Sequence, residues 1–164
     1  MLGYVCKYTP MELFEAMDTE ITRLEPSVTD FNHADTLMHA NICSYTKAVL
    51  EDVMEHDYEG VILTTCCDSI RRLYDTLKSQ FPDKFFFLLD IPRKFNDFAV
   101  TLYERQLKQM LTEYEAFSGK TLDLKRFVSM MQNKAALKKQ ENTRMSASAA
   151  SEKGNGQKLN IGIM

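Results

Sequence analysis

Gly60-Val61-Ile62-Leu63-Thr64-Thr65-Cys66-Cys67-Asp68-Ser69-Ile70-Arg71-Arg72-Leu73-Tyr74 holds a complete strand-to-helix transition. Val61 to Thr65 is continuous and rich in β-branched residues, the mark of a strand covered on both faces in a parallel sheet. Asp68 and Ser69 are good helix-capping residues. Ile70, Leu73, Tyr74, Leu77 and Phe81 then recur on one helical face. Cys66 and Cys67 fall at the junction, the carboxyl end of a strand, where open α/β sheets place their ligands.

Outward from this stretch the same alternation repeats. Leu2 to Cys6 reads as a short buried strand, and Pro10 sits where a helix can start, opening Met11 to Met17. Residues 19–38 are irregular apart from a candidate strand at Ile21 to Leu24. A helix is expected from Asn41, with Ile42, Tyr45, Val49 and Val53 as its apolar stripe. Gly60 closes that helical region. Phe85 to Ile91 is a further buried strand, stopped by Pro92. Asp97 to Phe117 is a long helix with Leu102, Tyr103, Leu107, Met110, Leu111 and Tyr114 inward and Gly119 at the C-terminal cap position. Another helix starts near Asp123, carries Leu124, Phe127, Val128 and Met131, and fades after Lys139.

Strands alternating with helices predict an α/β fold, a doubly wound parallel sheet flanked by helices with right-handed crossovers. Residues 1–145 are expected to form this N-terminal domain. Residues 146–157 are small and polar and read as a linker. Residues 158–164, with Leu159, Ile161 and Ile163, read as the first strand of a second α/β domain that lies beyond this chain.

The 164 residues suffice to bury a real core, and 45% of them are hydrophobic. The net charge is only −3, with Lys and Arg spread among the acids, so no basic stripe for nucleic acid is present. No stretch approaches the ~18 consecutive apolar residues that a membrane span needs. Met1 to Cys6 lacks the features of a secretion signal. The expected location is therefore cytoplasmic, where cysteines stay reduced. Cys6, Cys43, Cys66 and Cys67 are then free thiols, catalytic groups or metal ligands rather than disulfide partners.

Cys43 starts the helix that precedes the Gly60 strand, so Cys43 and Cys67 can face one crevice. Helix N-termini carry partial positive charge and free N–H groups, which suit thiolates and an anionic iron–sulfur cluster. Structural zinc sites favour paired C-x₂₋₄-C spacings, which do not occur here. The alternative for each cysteine is a small buried hydrophobe. That reading fits Cys6 best, while spacing alone leaves Cys43 and Cys67 open between the two. Adjacent side chains diverge, so Cys66 and Cys67 together offer one well-placed ligand.

Four runs occur in order: Gly3-Tyr4-Val5-Cys6-Lys7-Tyr8-Thr9-Pro10-Met11-Glu12-Leu13, His39-Ala40-Asn41-Ile42-Cys43-Ser44-Tyr45, Gly60 to Tyr74, and Leu89-Asp90-Ile91-Pro92-Arg93-Lys94. Together they resemble consecutive motifs of the 2-hydroxyacyl-CoA dehydratase and benzoyl-CoA reductase D-component family, over essentially the whole chain. The resemblance implies an oxygen-sensitive enzyme of anaerobic metabolism, a lyase or related ATP-dependent reductase. It would use single-electron, ketyl-radical chemistry on an acyl-CoA thioester. It implies a 4Fe-4S cluster as cofactor, with Cys43 and Cys67 as metal ligands and a third cysteine from a following domain. It also implies two partners: a homologous subunit or second copy of the module, and an ATP-hydrolysing iron–sulfur activator that performs electron transfer. Cys66 departs from members with one cysteine before the aspartate. The doublet marks either a packing neighbour or the double-cubane branch of the family, whose members reduce small molecules. A non-catalytic partner domain is the remaining alternative. Alone, this chain is expected to be inactive and to hold no stable cluster.

No catalytic acid or base is assigned. His39 lies one helical turn before Cys43 and is a candidate to bond a cluster sulfur, with a structural or capping role as the plainer alternative. Asp68 reads as a helix cap that fixes the Cys67 turn. His33 and His56 read as surface residues. Arg71 and Arg72 sit against the helix dipole and call for an acidic partner. Arg93 and Lys94 are candidates for the thioester's phosphates, or a solvated charge pair.

Overall fold

The computed structural model describes residues 1–28 and 30–152. Four parallel strands, β1 (Leu2–Tyr4), β2 (Ile21–Arg23), β3 (Gly60–Thr64) and β4 (Phe85–Leu89), form one sheet in the order β2-β1-β3-β4. Helices α1 (Met11–Glu15), α2 (Asn32–Leu37), α3 (Ser44–Glu55), α4 (Asp68–Gln80) and α5 (Asp97–Ser118) connect and cover them. The expected parallel, doubly wound architecture is therefore what forms.

The strand residues divide between two cores by the two-residue period of a pleated strand. Val61, Leu63 and Phe86 join Ala34, Val49, Leu50, Val53, Ile70, Leu73 and Leu77, the buried faces of α2, α3 and α4. Leu2, Tyr4, Ile62, Phe85, Phe87 and Leu89 join Phe14 and Met17 near α1, and Met110 and Tyr114 of α5. Both faces of β3 and β4 are buried, so both sets of their side chains must be apolar, and these strands read as nearly unbroken hydrophobic runs. The step from β1 to β2 uses a helix on one face. The steps to β3 and β4 run the other way with helices on the opposite face. Equal handedness of crossovers requires that arrangement.

Gly60 opens β3 where a Cβ would collide with the Phe85 carbonyl, so glycine is what lets β3 and β4 start in register. At the end of α5, Gly119 adopts φ 70° and its N–H bonds the Glu115 carbonyl, the left-handed C-cap expected there. The other end of α5 is capped by Asn96, whose side chain accepts the Ala99 N–H at 2.8 Å.

Several expectations change. Helix α2 arises in a stretch expected to be irregular, because Glu51 of α3 accepts the Ala34 N–H at 2.8 Å and satisfies its first turn from outside. The helix expected from Asn41 begins at Ser44, and Tyr45 is 46% exposed rather than part of its apolar stripe. Thr46 and Glu51 are buried on that helix instead. Cys6 lies beyond the end of β1 and is half-buried, not enclosed in the sheet.

Residues Met1–Asp123 form the compact α/β unit, and α6 (Leu124–Glu152) belongs to a second unit. The α6 helix continues past Lys139, and residues 146–152 of the expected linker lie within it. Ala, Met and Arg favour helix, and no glycine or proline interrupts before Gly154. The rest of that linker, and the strand expected at 158–164, lie outside the described residues.

Candidate functional site at the switch point

The direction in which successive strands are added to the sheet reverses between β1 and β3: β2 lies on one side of that pair and β4 on the other. Open α/β sheets form a crevice at such a point, beyond the carboxyl ends of the strands. The segments that leave β1 and β3 there carry Cys6, and Cys66 with Cys67.

At the exit of β3, the Thr65 N–H donates to the Leu89 carbonyl at 3.0 Å and the Thr65 hydroxyl donates to Asp90. The Cys66 N–H donates back to the Thr64 carbonyl at 2.7 Å, closing a three-residue turn. This turn bends the chain off the strand line and leaves Cys66 and Cys67 exposed. Cys67 is itself the N-cap of α4, with extended backbone at φ −157° and ψ 168°. Its side chain makes no capping hydrogen bond. Asp68, expected as the cap, is instead the acidic residue of the first turn, favourable toward the helix dipole.

Cys43 occupies the same position on α3. It is the N-cap, with its carbonyl accepting the Lys47 N–H at 3.2 Å. Its Sγ lies 3.1 Å from the Thr46 hydroxyl. Burial pushes the Cys43 thiol up, but the hydroxyl and N–H of Thr46, the Ser69 side chain and the Tyr45 N–H outweigh it and hold the thiol below its ordinary value. Ser69 belongs to the first turn of α4, two residues from Cys67. The Ser69 side chain at the start of α4 thus acts on the Cys43 thiol at the start of α3.

Cys66 differs. Burial and then the neighbouring Cys67 thiol push it above its ordinary value. The Thr64 hydroxyl acts the other way. It is buried, makes no well-formed hydrogen bond, and leans on the Cys66 sulfur. The Cys66 thiol therefore feels its Cys67 neighbour electrostatically.

Tyr45 completes the cluster. Burial raises its phenol, Arg23 lowers it, and Cys66, Cys6 and Glu25 raise it further. Groups following β1, β2 and β3 therefore all face this ring. Sequence periodicity assigned Tyr45 to the core. Its position two residues after Cys43 was the available signal for a site residue.

His39 is not on a helical turn before Cys43. It sits in the preceding turn, where its Nδ1 accepts the Asn41 N–H at 3.2 Å and its carbonyl accepts the Ile42 N–H at 3.0 Å. The side chain serves the local turn, the structural alternative. His33 is on the surface as expected, with its Nδ1 2.7 Å from the buried Glu51 carboxylate. His56 stays on the surface beside Asp52, at 3.2 Å. Arg72 finds Asp75 at 3.8 Å, a solvent-exposed pair of small energetic value. Arg93 and Lys94 are exposed just after β4, followed by Phe95 and Phe98, which are 98% and 77% exposed.

Among the described residues, no three His, Cys, Asp or Glu side chains group closely enough to hold a metal ion. None of the described helices is long and apolar enough to cross a membrane. Compared with known protein families, residues 6–153 match the model described as 2-hydroxyglutaryl-CoA dehydratase, D-component. No curated protein matches the chain.

Proposed function

The chain belongs to the 2-hydroxyglutaryl-CoA dehydratase D-component family, and from that premise we propose that it is the cluster-holding part of an enzyme that dehydrates a 2-hydroxyacyl-CoA thioester. A D-component implies a partner subunit in the complex. The observation that carries the proposal is the shared role of Cys43 and Cys67 as N-caps of α3 and α4, with Ser69 of α4 reaching the Cys43 thiol.

The donor set suits an iron–sulfur cluster. A thiol held low at a helix N-terminus is ready to bind as thiolate, and hydrogen bonds to sulfur tune a cluster's potential. Cys43 and Cys67 would hold it, and the buried Thr64 hydroxyl beside Cys66 is a spare donor toward sulfur. Cys43 and Cys67 supply two ligands, and a third cysteine would come from the following domain, as the family resemblance implies. When bound, the cluster supplies single electrons, which an ATP-hydrolysing activator would load. The chain's own residues do the rest. Cys43 and Cys67 would bind, while Thr46 and Ser69 lower the Cys43 thiol toward its thiolate form.

A double-cubane cluster, with Cys66 as an added ligand, is the second reading, favoured by the adjacent Cys66 and Cys67 thiols exposed beyond β3. The raised Cys66 thiol argues for a protonated neighbour instead. Anaerobic reconstitution with the partner subunit distinguishes them, with iron content, visible spectrum, circular dichroism and activator-dependent turnover read on the same sample. Cys43→Ser and Cys67→Ser should each lose iron and turnover while remaining folded. Cys66→Ser should keep both, and loss of iron in that variant establishes the double-cubane reading. Full iron in either Cys43→Ser or Cys67→Ser overturns the ligand assignment.

A further inference from the structure

Beside the cysteine crevice, on the face covered by α5, a notch of about 190 Å³ is lined by Tyr8, Ile91, Pro92 and Tyr103. Its walls come from the exits of β1 and β4 and from α5, so it opens at the same carboxyl edge of the sheet. The Tyr103 hydroxyl donates to the Tyr8 carbonyl at 3.3 Å. That bond fixes the polar end of Tyr103 and leaves its ring as wall. Tyr103 is close enough to Cys6 that this thiol, after burial, raises its phenol. The notch therefore adjoins the site already described.

No charged side chain lines it. The nearest cations stand outside. Lys7 Nζ lies 5.2 Å from the centre of the Tyr8 ring, and Arg93 and Lys94 follow Pro92 in exposed positions. An apolar recess with Lys7 beside its Tyr8 wall, and Arg93 and Lys94 following its Pro92 wall, fits a ligand with an uncharged hydrophobic end and an anionic body. A cavity of about 150 Å³ lined by apolar side chains accepts a benzene ring, so this one has room for a branched aliphatic or aryl group. A carboxylate placed inside would lose its water and gain no partner.

We infer that this notch receives the acyl end of the thioester and selects an uncharged branched or aryl group over a carboxylate-bearing one such as glutaryl. The anionic body of the thioester then lies toward Lys7, Arg93 and Lys94. The inference rests on the thioester reading above for the class of ligand, and on the notch alone for the choice of acyl group. It makes Ile91, Tyr8 and Tyr103 specificity-determining residues.

Equilibrium binding to the chain assembled with its partner subunit tests this, using free CoA, isovaleryl-CoA and glutaryl-CoA as probes. Isovaleryl-CoA should bind at least ~10-fold tighter than free CoA, since each methylene in a hydrophobic pocket is worth about that factor or more. Glutaryl-CoA should bind no tighter than free CoA. Ile91→Trp, which fills the notch, should remove the isovaleryl advantage and leave free CoA unchanged. Tyr8→Lys, at an exposed position that tolerates charge, should reverse the preference toward glutaryl-CoA and needs no repacking. Equal binding of all three probes, or a glutaryl preference that Lys7→Ala abolishes, overturns the acyl-notch inference and leaves the thioester reading standing. Failure of all three to bind, free CoA included, overturns both.

Discussion

Glu51→Ala is the sharpest probe of how the α3 side of the unit is held. Glu51 is buried, with 2% exposure, and accepts the Ala34 N–H at 2.8 Å and the His33 ring nitrogen at 2.7 Å. Burial pushes its carboxyl up, but the Ala34 N–H and then His33 push harder, and it is held below its ordinary 4.5. Truncation leaves a buried backbone donor unpaired, at about 1–3 kcal/mol, and removes buried methylenes worth about 0.8 kcal/mol each. Relief of the carboxylate's own desolvation offsets part of this. The expected loss is about 2–3 kcal/mol, or roughly 4 °C in Tm per kcal/mol for a unit of this size. The His33 side chain is 51% exposed, so His33→Ala should cost under about 1 kcal/mol. The pH dependence follows from the sign of the shift. A depressed carboxyl stabilises the fold above its unfolded value, and that contribution disappears as pH falls through the lower folded value. The stability gap between the parent and Glu51→Gln should therefore be full above pH 4.5 and close below it. Urea unfolding followed by circular dichroism measures both. A Glu51→Ala protein within ~0.5 kcal/mol of the parent, or a His33→Ala protein equally destabilised, refutes the capping argument.

Other outcomes follow from the same geometry. Gly60→Ala drives a Cβ into the Phe85 carbonyl, so β3 and β4 must shift apart, and urea unfolding should show a loss of at least ~2 kcal/mol. Leu77→Ala empties a fully buried position beneath α4 and should cost about 2–5 kcal/mol in the same assay. Thr46→Val keeps the shape but removes the hydroxyl 3.1 Å from Cys43. The Cys43 thiol should rise, and the pH profile of its alkylation by iodoacetamide should move to higher pH in a protein whose other cysteines are serine. An unmoved profile would mean that the Thr46 hydroxyl does not hold the thiol down.

Much of the fold was legible because both faces of the sheet are covered. A strand buried on two sides must be apolar without alternation, as Val61 to Leu63 and Phe85 to Leu89 are, and such runs announce a parallel sheet directly. The apolar face of α4 and the bounds of α5 were equally plain, since Leu73 and Leu77 recur at helical spacing and Gly119 occupies the one position that needs φ 70°. Helix α2 was not legible. Its first turn is satisfied by a carboxylate from another helix, and no local pattern in residues 19–38 encodes that partner. Tyr45 was misplaced for a related reason: the apolar stripe of α3 gives the period but not which flank meets the sheet.

By itself, then, the sequence determined the α/β class, the parallel strands and the placement of Cys43 and Cys67 at helix starts. Each of these follows from local chemistry: burial pattern, backbone conformation and motif order. Tertiary structure alone decided the strand order β2-β1-β3-β4, and with it the switch point where the cysteine-bearing loops meet. It alone brought the Ser69 side chain to act on the Cys43 thiol, and Arg23, Cys66 and Cys6 to act on the Tyr45 phenol. The notch between Tyr8, Ile91 and Tyr103 likewise exists only once β1, β4 and α5 have packed. Contacts between residues distant in sequence depend on how layers stack, and a one-dimensional pattern carries the faces to be buried but not which partners bury them.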